Sequence, residues 1–243
     1  MENQSPPPRT IPKDMYEKFT CQKKIPVEYG YTDESFFRDR PSVYEKDMID
    51  QFVQFAREKK VNYYGRTDQY LYQALNLIPI VGKQVAVIGS TTPWYESVAL
   101  AYGAFVTTID YNKIVSCDAR IKSLSVEEYQ QNPMLFDVLF SISSFEHDGL
   151  GRYGDPISPD GDLLAMKNAK KMLKPGGHLF LAIPVGKDLM VWNRHRVYGP
   201  IRLPMLLQGW ELLCSIGFSV YDLKQPLDGT EHQPLFVCLN PVP

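Results

Sequence analysis

The sequence predicts an α/β fold, a doubly wound and mostly parallel sheet that ends in an antiparallel hairpin, and three observations carry that prediction. Gln84–Asp110, QVAVIGSTTPWYESVALAYGAFVTTID, runs from a short apolar β-branched stretch through a glycine turn and a helical stretch into a second apolar run, the order of one βαβ unit. Strand-like and helix-like runs go on alternating through Arg120–Ile183. The closing runs Phe218–Leu223 and Leu235–Leu239 are joined by Lys224–Pro234, which is too short for a crossover helix, so they pair antiparallel.

Taken in order, Met1–Pro12 with its Pro6-Pro7-Pro8 run reads as an extended, mobile arm. Lys13–Arg40 interleaves Tyr16, Phe19, Tyr29, Tyr31, Phe36 and Phe37 with charge and reads as an irregular segment packed on the domain or over its cleft. Residues 1–40 are therefore set apart from an α/β domain over 41–243. Ser42–Lys59 and Thr67–Ile78 carry apolar residues at helical spacing and lead into the first strand. After that strand, Thr92 is placed as a helix cap with Pro93 in the first turn, and Gly103 ends the helix. Arg120–Leu124 is a weak third strand, and Ser125 with Glu128 forms a capping box for the next helix. Phe136–Ile142 is the fourth strand, Asp160–Leu173 a helix stopped by Lys174-Pro175-Gly176-Gly177, and His178–Ile183 the fifth strand. Pro204–Cys214 reads as a last helix, ended by Gly217.

A net charge of -2 gives no broad attraction for phosphate backbones, so nucleic acid is not the expected partner and a small acceptor is. The four cysteines are scattered with no C-x-x-C pair, which points to a reducing compartment, the cytoplasm by default, and to no zinc site. No stretch is long enough to span a membrane and no signal-like leader is seen. Asp148, Asp155, Asp160 and Asp162 match no metal-binding loop, so no metal is expected.

Asp110 follows Gly89 by about 20 residues, the interval at which an acid at the second strand's end accepts ribose hydroxyls. The turn Gly89-Ser90-Thr91-Thr92 has one glycine, too few for close approach to a pyrophosphate. S-adenosylmethionine, which has no phosphate, therefore fits better than a nicotinamide cofactor. The plainer alternative is an ordinary βαβ unit whose Asp110 caps a turn.

Val85–Gly89, Asp110, the Phe136–His147 strand with its Glu-His end, Leu173–Gly177 and the terminal hairpin resemble the class I S-adenosylmethionine-dependent methyltransferase fold over roughly Gln69–Asn240. Gly89-Ser90 with Pro93-Trp94 and Glu96, Asp110-Tyr111-Asn112, Ser144–Pro156 and Trp192-Asn193-x-His195-Arg196-x-Tyr198-Gly199 look like the domain of unknown function 268 family. The resemblance implies a seven-stranded sheet of order 3-2-1-4-5-7-6 and S-adenosylmethionine as cofactor. It carries Gly89 and Ser90 to the methionine side, Asp110 to the ribose, Ser123 and Leu124 to the adenine side, and Phe145 to the wall beneath the sulfonium. The wider family has an acid at the end of the first strand; here Glu96 either stands in for it or simply favours its helix N-terminus.

Methyl transfer to an alcohol needs alignment and a base. His147, at the fourth strand's end, is the leading base and His195 the second, with Glu146 or Asp148 orienting the imidazole. Trp192, Arg194, Arg196 and Tyr198 belong to a polar-aromatic loop suited to binding acceptor oxygens. The expected activity is O-methylation of a carbohydrate or other small hydroxyl. A methyltransferase-like scaffold that has lost its cofactor is the alternative, and it predicts a mouth blocked by Trp94 or Tyr95.

Overall fold

The computed structural model describes residues 6–38, 40–227 and 232–241. Its centre is a seven-stranded sheet of β1 (Gln84–Ile88), β2 (Phe105–Asp110), β3 (Ile121–Ser125), β4 (Phe136–Ile142), β5 (Leu173–Ala182), β6 (Glu211–Ile216) and β7 (Leu235–Leu239). The order is 3-2-1-4-5-7-6, with β1 to β5 parallel and β7 antiparallel to both β5 and β6. The family resemblance implied this order.

Successive side chains on a strand face opposite ways, and here that alternation sorts the core into two halves. Val85, Val87, Val138, Phe140, Phe180, Ala182, Leu235 and Val237 pack with α1 (Lys46–Arg57), α2 (Arg66–Leu77) and α3 (Trp94–Ala101) on one face. Ala86, Leu139, Leu179, Leu181, Phe236 and Cys238 pack on the other with α5 (Gly161–Met172) and α6 (Arg202–Leu206). Both faces are covered, so the central strands are nearly continuous apolar runs. Asp137 is the polar break in β4; it accepts Gln84 N–H at 2.8 Å and pairs with Lys174 at 2.8 Å, tying three strands together at the end remote from the cleft.

The box of Ser125 and Glu128 caps α4 (Val126–Gln131) as expected. At α3 the cap differs: Pro93 is the N-cap residue, no side chain caps the helix, and Thr92 contributes its backbone carbonyl to Trp94 N–H. The last helix is also shorter than its periodicity suggested. It ends at Leu206, and Glu211–Ile216 is the edge strand β6, while Phe218–Leu223 is turn and short helix. The hairpin partner of β7 is therefore the stretch before Gly217. Gly217 lies at φ 78°, and an added Cβ would run into the Tyr70 ring.

Residues 6–12 correct the expectation of a mobile arm. Pro7 and Ile11 are buried, Tyr31 Oη donates to Pro7 O at 3.1 Å, and Trp192 Nε1 donates to Pro8 O at 2.9 Å. Residues 1–5 and the Phe37 side chain lie outside what is described. Ile11, Phe19, Ile25, Leu150, Met190 and Trp192 form a third apolar cluster. Beside it Val27–Tyr29 runs parallel to Leu189–Trp192, which turns back antiparallel through His195–Val197. This small sheet brings the N-terminal segment across the mouth of the main one.

Candidate active site

A cavity of about 380 Å³ opens where β1, β2 and β4 end, within the range of small-molecule sites. Parallel sheets bind at this edge because chain reversals there leave backbone groups and side chains facing one crevice. Gly89 (φ 67°) makes the first reversal, and an added Cβ would collide with the Ser144 hydroxyl after β4. Glycine is thus needed so that the ends of β1 and β4 can meet. Ser143, just past β4, holds φ 54°, a strained value for a residue with a side chain. Its N–H donates to Ala182 O at 2.9 Å, its hydroxyl donates to Glu146 Oε1 at 2.7 Å, and it accepts from Gln233 Nε2 at 3.1 Å.

Asp110 lines the cavity and accepts Ser90 N–H on one oxygen at 3.1 Å and Asn112 N–H on the other at 2.7 Å. Each carboxylate oxygen has a further lone pair, so two vicinal hydroxyls can still be received. Burial pushes the acid up to about 6, and the two backbone N–H groups oppose the shift. Glu96 lies behind the turn, fully buried and outside the lining. Ser90 Oγ donates to Thr92 O at 2.8 Å and reaches Glu96 Oε2 at 3.2 Å. One hydroxyl hydrogen cannot serve both acceptors, so the second contact is best satisfied when Glu96 carries a proton. Desolvation acts in the same direction and raises Glu96 to about 7.

Past the end of β4, His147 Nδ1 stands 2.6 Å from Arg194 O. A carbonyl only accepts, so Nδ1 holds the hydrogen and Nε2 is the basic nitrogen, 3.6 Å from Glu146 Oε1. Burial lowers His147 to about 3, with Arg152, His195 and Arg196 adding to the fall. His195, its ring 6.4 Å from that of His147, is lowered to about 4 by burial and by Arg194 and Arg152. Both imidazoles are neutral proton acceptors at pH 7. Asp148 is held well above the carboxylate range, first by burial and then by Asp155. Asp155 itself is taken up by the N–H groups of Gly149 and Gly151 at 2.7 and 3.1 Å.

Gly89, Ser90, Asp110, Glu146, His147, Asp148, Arg194 and His195 therefore share one cavity. Other expected site residues do not reach it. Ser123 Oγ donates to Ile114 O at 2.8 Å, because Ile114–Ser116 forms a short strand with Ser42–Tyr44, and Leu124 and Phe145 pack into the core. Beyond Asp110 the wall is instead Tyr111, Asn112 and Ile114, with Ser42. Trp192 is buried against Phe19 at 5.0 Å. Arg196 is spent on Glu146 O, Asp148 O and neighbouring carbonyls, and Tyr198 Oη donates to Asp162 at 3.0 Å. None of these three residues lines the pocket. Among the described residues no group of three His, Cys, Asp or Glu could hold a metal, and no helix is long and apolar enough to cross a membrane.

Sequence reasoning missed Tyr63 and Tyr64, whose loop is organised by Asp68 accepting Asn62 and Tyr63 N–H at 2.8 and 2.9 Å. It also missed Glu34 and Arg152, paired at 2.6 Å across the mouth. The linker holding Tyr63 has no periodicity to mark it, whereas Arg152 stood within the run quoted for the family. Thr32 and the Asn193 amide exchange two hydrogen bonds of 3.0 and 2.8 Å, which fixes the overlying segment. Trp94 lies in the core 5.5 Å from Phe52, and Tyr95 turns its hydroxyl to Asp68 at 2.9 Å, so neither blocks the mouth.

Residues 82–229 match the family described as "Caenorhabditis protein of unknown function, DUF268", more than half of the chain. No curated protein matches. Among solved structures, the Burkholderia thailandensis 1,6-didemethyltoxoflavin-N1-methyltransferase, crystallised with 1,6-didemethyltoxoflavin and S-adenosylhomocysteine, is 12% identical with a TM-score of 0.56, over 89% of this chain and 94% of that one. N-methyltransferase NodS from Bradyrhizobium japonicum WM9 is 19% identical over 72% of this chain and 94% of its own, with a TM-score of 0.49. At such identities the first likeness speaks for the fold alone.

Proposed function

The chain belongs to the DUF268 family, and on that premise we propose that it is an S-adenosylmethionine-dependent methyltransferase acting on the hydroxyl of a small acceptor, a carbohydrate by preference. One observation carries the reading: an open cavity has Gly89 and Asp110 on one side and two neutral imidazoles on the other. The donor set suits the cofactor, since Asp110 retains lone pairs for two ribose hydroxyls and the Gly89-Ser90 turn lies bare beside it. S-adenosylmethionine, when bound, supplies an electrophilic methyl group on a sulfonium. His147 Nε2 accepts the acceptor's hydroxyl proton while Arg194 O holds the opposite nitrogen, and Glu146 at 3.6 Å steadies the resulting imidazolium. Tyr153, edge-on to His147 at 5.6 Å, limits how the ring can turn. A pyrophosphate-bearing cofactor is disfavoured by the single glycine of the turn.

Calorimetry with S-adenosylmethionine and S-adenosylhomocysteine tests the first half of the proposal, with micromolar binding expected for both. Labelled methyl transfer to a panel of sugars tests the second, and H147N is expected to slow turnover at least about a hundredfold with cofactor affinity unchanged. Absence of binding to either nucleoside sinks the proposal.

A further inference from the structure

Resting on that reading of the cleft, we infer that the acceptor carries an anionic group, a carboxylate or a phosphate, close to its reacting hydroxyl, and that Arg194 and Arg152 together receive it. Arg194 sits at the tip of the tight reversal between Leu189–Trp192 and His195–Val197. Its N–H donates to Val191 O at 2.7 Å and its carbonyl accepts the His147 ring. Its stem lies along Gly30, where an added Cβ would come within 3.1 Å of Arg194 Cδ. The backbone is thus fixed from several directions. The guanidinium, exposed and lining the cavity, makes no ion pair and no hydrogen bond among the described residues.

Arg152 lines the same cavity, largely buried, its Nε on Glu34 and its plane 5.0 Å from the Tyr153 ring. The acids around it are already engaged: Glu34 by Arg152, Asp110 by two backbone N–H groups, and Glu146 by the Ser143 hydroxyl. Asp148 is pushed towards its neutral form. Arg152 has Glu34 as its counter-ion, whereas the Arg194 guanidinium has none among the described residues. Burial is the first cause that lowers both histidines, with Arg152 adding to the fall at His147 and Arg194 and Arg152 at His195. An anion held by the two guanidinium groups offsets the part of the depression that comes from Arg152 and Arg194, and leaves the part that comes from burial. It also supplies the planar or tetrahedral oxygens that a guanidinium fork binds best. A neutral sugar does neither.

The test is titration of glucose, glucuronate and glucose 6-phosphate into protein saturated with S-adenosylhomocysteine, whose own affinity is measured first. At least one anionic sugar is expected to bind about tenfold or more tightly than glucose. That advantage is expected to disappear in R194Q and to shrink as salt rises. The preferred anion tells carboxylate from phosphate. Equal binding of all three sugars, no binding of any, or a preference that survives in R194Q overturns the inference. So does an R194Q protein that loses affinity for S-adenosylhomocysteine itself, because the guanidinium then serves the methionine carboxylate. If S-adenosylhomocysteine does not bind at all, methyl transfer fails on its own, and the sugar series is run on the protein alone with the same criteria.

Discussion

Ser90, just after β1, links two acids: its N–H binds Asp110 and its hydroxyl faces Glu96. Two expectations follow from the chemistry of those acids. On the proposed reading, in which Asp110 receives the ribose hydroxyls, D110N removes charge and one acceptor oxygen there, so calorimetry should show S-adenosylhomocysteine binding at least about tenfold more weakly, with the circular dichroism spectrum unchanged. Glu96 titrates near 7 in the folded chain against an ordinary 4.5, so between those values the native state holds the extra proton. Its contribution to stability is complete below pH 4.5 and is lost as pH rises through 7, where the carboxylate is ionised without water around it. E96Q should therefore be more stable than the parent at pH 8 by about 2 kcal/mol and indistinguishable at pH 4, as measured by urea unfolding. Asp110 was legible from its interval to Gly89. The burial of Glu96 was not, because a helical acid two residues into α3 reads the same whether it faces water or the interior.

The turn after β1 and the strap over the cleft are the two elements whose geometry sets the mouth. Gly89→Ala places a side chain at φ 67° and against Ser144, so about 1–3 kcal/mol of stability should be lost, and cofactor affinity with it. The strap depends on the Thr32–Asn193 amide pair, two chain segments far apart in sequence. N193A should speed hydrogen exchange and proteolysis around residues 30–36 while β4 and β5 stay protected; unchanged protection at the strap would show that the amide pair does not hold it. Strands flanked by glycine were readable from their apolar runs. The start of Glu211–Ile216 was misread because Leu213 and Cys214 continue the helical spacing of Leu206, Leu207 and Trp210, and its role as an edge strand comes from distant pairing with β7. Trp192 misled for a related reason: a large aromatic in a polar loop fits a pocket wall as well as it fits a cluster with Phe19 and Met190.

Across the molecule, the strands and their two helical layers were legible in the sequence, since burial on both faces leaves short continuous apolar runs between helical stretches. What joins Arg152 to Glu34, or Arg194 to His147, is tertiary and leaves no local trace. The same clustering shapes the acid response of the whole fold. His147, near 3 in the native chain against an ordinary 6.5, takes no proton where the unfolded chain does, so it lowers stability as pH falls below 6.5. H147N should unfold at higher urea than the parent at pH 5, by about 2 kcal/mol, and at the same urea at pH 8.

One wall of the cleft is drawn from Gly89–Asn112 and the Tyr63 loop, and the other from Glu34, His147–Tyr153 and the Arg194 reversal. Such a division lets evolution edit one bank of the cleft and leave the other untouched. On the proposed reading, chains that differ in Thr32–Glu34 or Asn193–His195 would keep the same methyl source and change only their taste in guests.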